Sequence, residues 1–493
     1  MITLEQIYKS MKDVGYEPTE KDIALIEKAY LFAEKAHADQ KRMSGEPYFY
    51  HVAEAGNNCA RFGMDATVIA AGLLHDTIED ANVDCETLEK EFGNEIESIV
   101  EGVTKLGKLK YQGQERHVES LRKFFVAVAQ DVRVLIVKLA DRLHNLSTLQ
   151  YVRKDKQKRI AIESIEIHAA LASRLGMGKL AGEIQDLAFP YAYPAEYKMT
   201  HELLKHHKNV NTKYLEKIQR SLRRELAEQD VKDVHIYYRV KGIYSLYKKL
   251  LRKGMDIDQV YDAVALRVIV PSIEDCYRVL GVIHGMWRPL PGRIKDYIAL
   301  QKPNGYRSLH TTIFTGDGGI VEIQIRTTEM QEFAEFGIAA HHAYKVNSLK
   351  TSKNKKKKSK SFDWLEQLRT FQKEDMRPVD FLKELRTDFF QDRIFVFTPK
   401  GDVIDLPQGS TVLDFAYAIH SDLGNHMSAS KVNGKRAALS KELKSHDIVE
   451  IEYKSSSKPS QKWLSYVQTN VAKRHIRNYL KRKNMNLLQR LIN

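Results

Sequence analysis

Leu73-Leu74-His75-Asp76-Thr77-Ile78-Glu79-Asp80 decides how the N-terminal part of this 493-residue chain is read. Two apolar residues bury one side of a helix, and a histidine and three carboxylates follow within six positions. An adjacent His-Asp pair offers a cation one imidazole nitrogen and one hard oxygen. On a helix, Glu79 and Asp80 come one turn after His75 and Asp76 and fall on nearly the same face. Such groups repel one another unless a cation sits among them. An acidic pair alone is more often a solvated helix end. Here, however, His51 lies upstream and Asp141 downstream, within Lys138-Leu139-Ala140-Asp141-Arg142-Leu143-His144-Asn145. Two nitrogens and two oxygens, with room for water, suit an octahedral Mn²⁺-like ion better than a closed tetrahedral zinc site.

The length exceeds what one core organises, so two to four domains are expected. A hydrophobic content of 43% is ordinary for a globular protein. No run of about 18 apolar residues occurs, so no membrane span is expected. Met1-Ile2-Thr3-Leu4-Glu5 lacks the charged and apolar regions of a signal peptide. Cys59, Cys85 and Cys276 are scattered without CxxC pairing, which argues for a reducing, cytoplasmic setting and against structural zinc. A formal charge of +14 implies anionic partners, nucleotides or RNA or both.

Residues 1–195 read as almost all helix. Thr19-Glu20-Lys21-Asp22 has the form of a capping box, and Ile23, Ile26, Tyr30 and Ala33 recur at helical spacing after it. The loop Lys41-Arg42-Met43-Ser44-Gly45-Glu46-Pro47 leads to His51; its cations are placed to hold a substrate phosphate or base, although a solvated loop is the commoner case. Gly102-Val103-Thr104-Lys105-Leu106-Gly107-Lys108 nearly spells a phosphate-binding loop. It is rejected because Leu109 stands where Ser or Thr must bind Mg²⁺ and the preceding segment is helical in pattern. From Asp155 to Leu187 the pattern gives helices that connect onward.

Near residue 235 the period changes. Val264–Val270 and Ile320–Arg326 are strand-like. In the second, Val321, Ile323 and Ile325 face one way and Glu322, Gln324 and Arg326 the other. Solvent exposure is the default for such a polar face. The alternative, an active-site floor, is favoured by the cations around it: Arg239, Lys241, Lys249, Arg293, Lys295 and Lys302. Asn304, Tyr306 and His310 lie in a Gly-containing loop of the same region. Arg forks and Lys point charges suit nucleotide phosphates, and Asp262 with Glu322 is a pair able to hold Mg²⁺. Residues 345–360 are Lys/Ser/Asn-rich and read as a linker, with helices around Trp364 and Phe381. A hairpin over Ile394–Leu406, a helix at Val412–Ile419 and a strand at Ile448–Tyr453 make a small β-grasp-like unit. Beyond it a helix turns basic through Lys473, Arg474, Arg477, Lys481 and Arg482.

Together these motifs closely resemble the bifunctional Rel/SpoT family, which makes and degrades (p)ppGpp. The resemblance runs from about residue 20 to the C-terminus. It implies a multidomain α and α+β chain: an all-α HD hydrolase domain with connecting helices (1–195) and an α/β nucleotidyltransferase-like synthetase domain (196–345). A linker (346–390), a β-grasp TGS domain (391–454) and the start of a basic helical region (455–493) follow. His51, His75, Asp76 and Asp141 match the family's Mn²⁺ ligands, Glu79 and Asp80 its catalytic acidic pair, and Asn145 a substrate contact. The synthetase motifs match in Arg239-Val240-Lys241, Tyr261-Asp262, Arg293-Ile294-Lys295-Asp296, Asn304-Gly305-Tyr306 and Glu322-Ile323-Gln324-Ile325-Arg326. The resemblance therefore implies transfer of pyrophosphate from ATP to the 3′-hydroxyl of GDP or GTP. Asp262 and Glu322 would hold Mg²⁺, and Glu322 would activate the hydroxyl. Arg239, Lys241, Lys249, Arg293, Lys295 and Lys302 would hold phosphates, Tyr306 would stack on guanine, and Asn304, His310, Gln324 and Arg326 would complete the site. His420 falls where relatives contact the tRNA acceptor end. The resemblance also implies that the connecting helices let one site suppress the other.

The chain departs from the family's usual Arg-Lys at Arg42-Met43, His-Pro at His51-Val52 and Met-Arg-Thr at Leu146-Ser147-Thr148. None of these removes a metal ligand; Arg42 remains for the substrate, and the changes bear on hydrolysis rate and preference. Two further readings stay open. One keeps the synthetase with a weakened hydrolase. The other makes the chain mainly a ribosome or uncharged-tRNA sensor through its β-grasp unit and basic helix.

Overall fold

The computed structural model describes residues 2–107, 130–260, 263–302, 304–316, 319–337 and 393–492. The Lys-rich linker, the helices expected around Trp364 and Phe381, and Asp262 lie outside the described residues. The chain divides into two compact units, Met1–Lys373 and Glu374–Asn493.

Through residue 192 the described part of the first unit is helical. Thr19 caps Glu20–Ala36 as the capping box requires: its hydroxyl accepts from Asp22 N, and Asp22 accepts from Thr19 N at 2.9 Å. That helix buries Ile26, Ala29, Tyr30 and Ala33. Helices Phe49–Arg61 and Ala66–Leu74 cross with almost no space between them. A Cβ on Gly72 would lie 3.2 Å from Gly56 Cα, and one on Gly56 would lie 2.7 Å from Leu73 Cδ2. Only glycines permit that approach, and it sets His51 and His75 side by side. The third wall is Val132–Ser147, whose Leu135, Ile136, Leu139 and Ala140 are fully buried. Gly102–Gly107 completes the helix Asn94–Gly107, so the rejected loop motif lies where the backbone is α-helical. The connecting segment is helical as expected, over Lys154–Glu163, Ala169–Arg174 and Gly178–Ala192. A π turn at Ser164–His168 interrupts it, a feature that apolar periodicity does not report.

The long helix Pro194–Glu228 leads to a five-stranded sheet. Its strands are β1 (His235–Val240), β2 (Val264–Val270), β3 (Lys295–Asp296), β4 (Leu309–Phe314) and β5 (Ile320–Thr327), ordered β1-β2-β5-β4-β3. β2 and β5 are parallel, and the other pairs antiparallel. Val321, Ile323 and Ile325 pack with Leu222 and Leu226 of the long helix and with Val279 and Ile283 of Ile273–Met286. Glu322, Gln324 and Arg326 occupy the opposite face. That face is not solvated: Gln324 and Arg326 are each 2% exposed.

In the second unit, β6 (Arg393–Phe397) and β7 (Val403–Pro407) form the expected hairpin, turning through Gly401 at φ +86°. β8 (Met427–Val432), β9 (Lys435–Ala437) and β10 (Val449–Tyr453) form a second sheet around helix Val412–Ile419. Trp463, Val467, Ala472 and Ile476 belong to the same core, so it runs on into the basic helix Asn470–Ile492. One carboxylate fastens this junction. Fully buried Asp414 accepts from Thr411 N at 2.8 Å, Gln468 N at 3.0 Å, and the amide and hydroxyl of Thr469, both at 2.8 Å. Removing it strands donors that cost about 1–3 kcal/mol apiece when buried unsatisfied. Asp414→Ala should therefore lower the stability of this unit by about 3 kcal/mol, and Asp414→Asn by roughly half as much. Calorimetric unfolding of the full chain measures it; a loss under about 1 kcal/mol would exclude a clamp role.

Candidate functional site

Two clusters of polar side chains are buried in the first unit. The first lies where the three helices of the N-terminal region meet. The helix ending at Leu74 does not run through His75 and Asp76, as a single helical stretch would. Asp76 takes φ −102° and ψ 0°, and a short helix, Thr77–Asp80, starts after it. Thr77 Oγ1 donates to Leu74 O at 2.7 Å and holds the corner. The corner turns His75 and Asp76 inward together.

There the four expected ligands converge. His51 Nε2 lies 3.3 Å from both Asp76 Oδ2 and Asp141 Oδ1. His75 Nε2 lies 3.2 Å from Asp76 Oδ2 and 3.8 Å from Asp141 Oδ1. Ligands at about 2.0–2.2 Å from a shared ion stand roughly 3–3.6 Å apart, so the three shorter separations fit the edges of a coordination polyhedron and the fourth is slightly longer. His75 Nδ1 faces Gly72 O at 2.8 Å and donates to it, which directs Nε2 into the cluster. Nε2 is buried and within ion-pair distance of Asp76, yet not aligned for a hydrogen bond. An imidazole nitrogen so placed fits a metal. The field calls for positive charge as well. Burial opposes charge on His75, yet Asp76 and Asp141 carry its pKa up to about 10. Burial alone would raise both carboxyls, but His75 beside Asp76, and Lys138 with the histidines beside Asp141, hold them well below the usual range.

Around the ligands, Asn145 donates to Asp141 Oδ1 and accepts from Arg42 Nη2 at 2.5 Å. Arg42 also reaches Thr148 Oγ1 at 3.3 Å and His144 Nδ1 at 3.1 Å. Glu79 is half-buried, its pKa raised by burial and by Asp76 and Asp80. Residues to which the sequence assigns no role complete the shell. Lys138 Nζ donates to Asp141 Oδ2 at 2.6 Å. Tyr48 OH lies 2.8 Å from Asp76 Oδ2 and 2.7 Å from Asp80 Oδ2; burial and both carboxylates raise its pKa, so it stays a donor. His144 touches His51, Nδ1 to Nδ1, at 2.8 Å. Spacing could have found two of them: Lys138, Asp141, His144 and Asn145 lie three or four apart on one helix face. For Tyr48, only its position three residues before His51 hints at a role.

The second cluster lies on the polar face of the sheet. His310 Nδ1 is 3.2 Å from Glu322 Oε1, Tyr306 OH 2.9 Å from His310 Nε2, and Arg326 Nη2 donates to Tyr306 OH at 2.7 Å. Since Arg326 can only donate, Tyr306 passes its proton-side bond to His310 Nε2, and His310 Nδ1–H faces Glu322. Gln324 makes a parallel path, accepting from Arg326 at 3.1 Å and donating to Glu322 Oε1 at 3.0 Å. Burial would raise Glu322, but His310, Gln324 and the nearby Lys249 bring it down to about 2, so it is ionised. Lys302 Nζ sits 4.4 Å from the Tyr297 ring centre and 4.9 Å from that of Tyr306. Burial, with Lys295 adding to it, lowers Lys302 to about 8. Gly305, at φ +82°, lets this loop close on Phe333, where a Cβ would lie 2.3 Å from the ring. Asn304 Oδ1 accepts from Tyr306 N at 3.3 Å.

The charge of Arg239 reaches Arg326, and Lys241 is tied through its amide to Ala263 O. Arg293 is exposed on the loop before β3, and no described contact joins it to this cluster. In the second unit, His420 is exposed and caps Ser421–Asn425, accepting from Asp422 N at 3.2 Å. Among the described residues no helix is long and apolar enough to cross a membrane.

The HD domain family matches residues 29–178, the family described as a region found in RelA/SpoT proteins matches 238–349, and the TGS domain family matches 394–452. The chain is 44% identical to a GTP pyrophosphokinase of Myxococcus xanthus, over 95% of this chain and 62% of that one. It is 43% identical to a guanosine-3′,5′-bis(diphosphate) 3′-pyrophosphohydrolase of Aquifex aeolicus, over 93% of this chain and 65% of that one. A pyrophosphohydrolase of the same description from Vibrio cholerae is 39% identical, over 96% and 67% respectively. The chain thus spans a little under two thirds of the length of the first two. An HD domain implies a divalent metal, and the His51, His75, Asp141 group is a site able to hold one. Three domain families in this order, with relatives of both descriptions alignable over nearly the whole chain, place it in the RelA/SpoT family.

Proposed function

We propose that this chain both makes and hydrolyses (p)ppGpp, at two separate sites. The observation that carries the reading is that two separate buried sites hold ionised carboxylates, Asp76 and Asp141 among imidazoles and Glu322 bonded to His310 and Gln324 with Lys302 and Arg326 nearby. Relatives of 44% and 43% identity carry one activity each in their descriptions.

In the hydrolase site His51, His75, Asp76 and Asp141 would hold Mn²⁺, which when bound supplies Lewis-acid activation for attack at phosphorus. Arg42 and Asn145 would orient the 3′-pyrophosphate. Glu79, with its raised pKa, and Asp80 would receive the attacking water's proton and return it to the 3′-oxygen as its bond to phosphorus breaks, releasing pyrophosphate and a nucleotide with a free 3′-hydroxyl. In the synthetase site Glu322, with Asp262, would hold Mg²⁺, which neutralises charge on the ATP phosphates. The 3′-hydroxyl of GDP or GTP would attack the β-phosphorus, AMP would leave, and the hydroxyl proton would pass to Glu322. A carboxylate held so low is a weak base, so that proton moves only as the new P–O bond forms. Arg239, Lys241, Lys249, Arg293, Lys295 and Lys302 would bind phosphates, with Tyr306 under the guanine and Asn304, His310, Gln324 and Arg326 fixing it. Contact of His420 with uncharged tRNA on the ribosome, and a cytoplasmic location, complete the proposal.

Incubation with ATP, GDP and Mg²⁺, and separately with ppGpp and Mn²⁺ with or without chelator, tests both halves. Asp76→Ala should lower hydrolysis by at least about 10³-fold and leave synthesis within a few-fold. Glu322→Gln should do the reverse. Loss of both activities in either folded variant would overturn the two-site reading.

A pH profile tests the synthetase site separately. Lys302 is cationic below about pH 8 and neutral above it, so a phosphate contact is lost as pH rises. The nucleotide KM should climb about tenfold between pH 7 and 9.5, because a charged hydrogen bond contributes about 1.5–3 kcal/mol. Lys302→Arg, cationic throughout, should flatten that rise. An unchanged slope in Lys302→Arg would remove Lys302 from phosphate binding.

A further inference from the structure

We propose that His144 is a positioning residue of the metal centre: its Nδ1 lone pair accepts the Nδ1–H of His51 and keeps the His51 Nε2 lone pair turned toward Asp76 and Asp141. The inference comes from one atom that two neighbours share. His144 Nδ1 is 3.1 Å from Arg42 Nη1 and 2.8 Å from His51 Nδ1. A guanidinium has donors only and keeps its charge in proteins, so the nitrogen facing it must be an acceptor. His144 therefore carries its proton on Nε2. His51 Nδ1, 2.8 Å from that same acceptor, must then carry a hydrogen, since two lone pairs would repel at that distance. A neutral imidazole, the form that ligates a metal, has one such hydrogen, so when His51 serves as a ligand its free nitrogen is Nε2, 3.3 Å from both carboxylate oxygens. Burial keeps the arrangement from being undone by water: His51 is 1% exposed.

The two ligand histidines are thus fixed by different devices. His75 has the usual partner, a backbone carbonyl, in Gly72 O at 2.8 Å. His51 has a side chain whose own proton is placed by Arg42, a residue of the loop proposed to hold the substrate. No backbone carbonyl among the described residues stands in for it, so the His51 tautomer depends on His144.

The proposal rests on the reading of His51, His75, Asp76 and Asp141 as one metal centre, and the experiment separates the two. Mn²⁺ binding to the full chain is measured by isothermal titration calorimetry for the unaltered protein and for Asp76→Ala, His144→Leu and His144→Asn. Asn retains an acceptor oxygen near the place of Nδ1; Leu fills the volume without one. His144→Leu should weaken Mn²⁺ binding about 10–100-fold, the usual effect of losing an outer-shell partner, while His144→Asn stays within about threefold. Equal binding by His144→Leu and the unaltered protein would overturn the assignment of His144. So would equal losses in Leu and Asn, since a packing role alone makes no distinction between acceptor and none. Undiminished binding by Asp76→Ala would instead remove the centre itself, and the proposal with it. Should His144→Leu fail to fold by circular dichroism, His144→Val lacks the same acceptor and carries the same expectation.

Discussion

Asp76 and Asp141 each stand within 3.8 Å of two imidazole nitrogens, in a pocket where Asp141 is 3% exposed. Two carboxylates in such a place repel strongly unless cations or donors face them, and much of the N-terminal architecture supplies those. Lys138 and Asn145 come from one turn on either side of Asp141, on the same helix. Tyr48 comes from the entry to the His51 helix and binds both Asp76 and Asp80. The glycine contact between the His51 helix and Ala66–Leu74 brings the imidazoles close enough to share those oxygens. Without the close crossing, the four donors would be scattered residues and not a centre.

The second cluster solves the opposite problem, a buried cation. Arg326 is 2% exposed and bonds neutral partners, Tyr306, Gln324 and Gln331. Its charge is met indirectly, through two hydrogen-bonded paths that both end on Glu322. The result is a carboxylate held ionised and a guanidinium held in place by neutral partners. Hydrogen bonds and nearby cations hold Glu322 ionised against the same burial that brings Lys302 down toward neutrality. One sheet face therefore contains a strongly acidic carboxylic acid and a weakly basic amine, each displaced in the direction its neighbours dictate.

How much of this the sequence discloses depends on the range of the interaction. The capping box at Thr19, the alternation along β5 and the hairpin around Gly401 are local rules, and each is where the periodicity puts it. The convergence of His51, His75, Asp76 and Asp141 is legible because adjacent His-Asp chemistry has few structural uses. The break at His75-Asp76 is not, because a helix and a helix-turn-helix share the same short apolar pattern until Thr77 closes on Leu74 O. Burial of the β5 polar face is also hidden, since alternation reports two faces and not what covers them. Tyr48 and His144 escape for a different reason. Each touches an expected ligand rather than being one, and nothing in residue type separates such a partner from an ordinary aromatic or surface imidazole.

The helix Gly178–Ala192 gives the expected link between the two sites a physical form. Glu183 meets Arg61 at 3.3 Å, at the far end of the helix that starts beside His51. One turn later, Asp186 accepts from Tyr244 N at 3.0 Å and so caps Ile243–Arg252, the helix that carries Lys249. A Cβ on Gly242 would fall 2.8 Å from Asp186 Oδ2, so the approach of the two segments is again set by a glycine. Phe189, fully buried on the same helix, packs edge-on against Tyr244 and at a 31° tilt against Tyr247. At the other end, Arg142, next to the ligand Asp141, pairs at 3.1 Å with Glu163, the residue before the π turn. A π turn holds an extra residue that a helix can absorb or shift along its length, and such a shift rotates the turns beyond it. Coupling needs an element with two arrangements that both sites bias. The turn at Ser164–His168 lies between Glu163, paired with Arg142, and the helix whose Asp186 caps Ile243–Arg252, so the expected coupling would run through it.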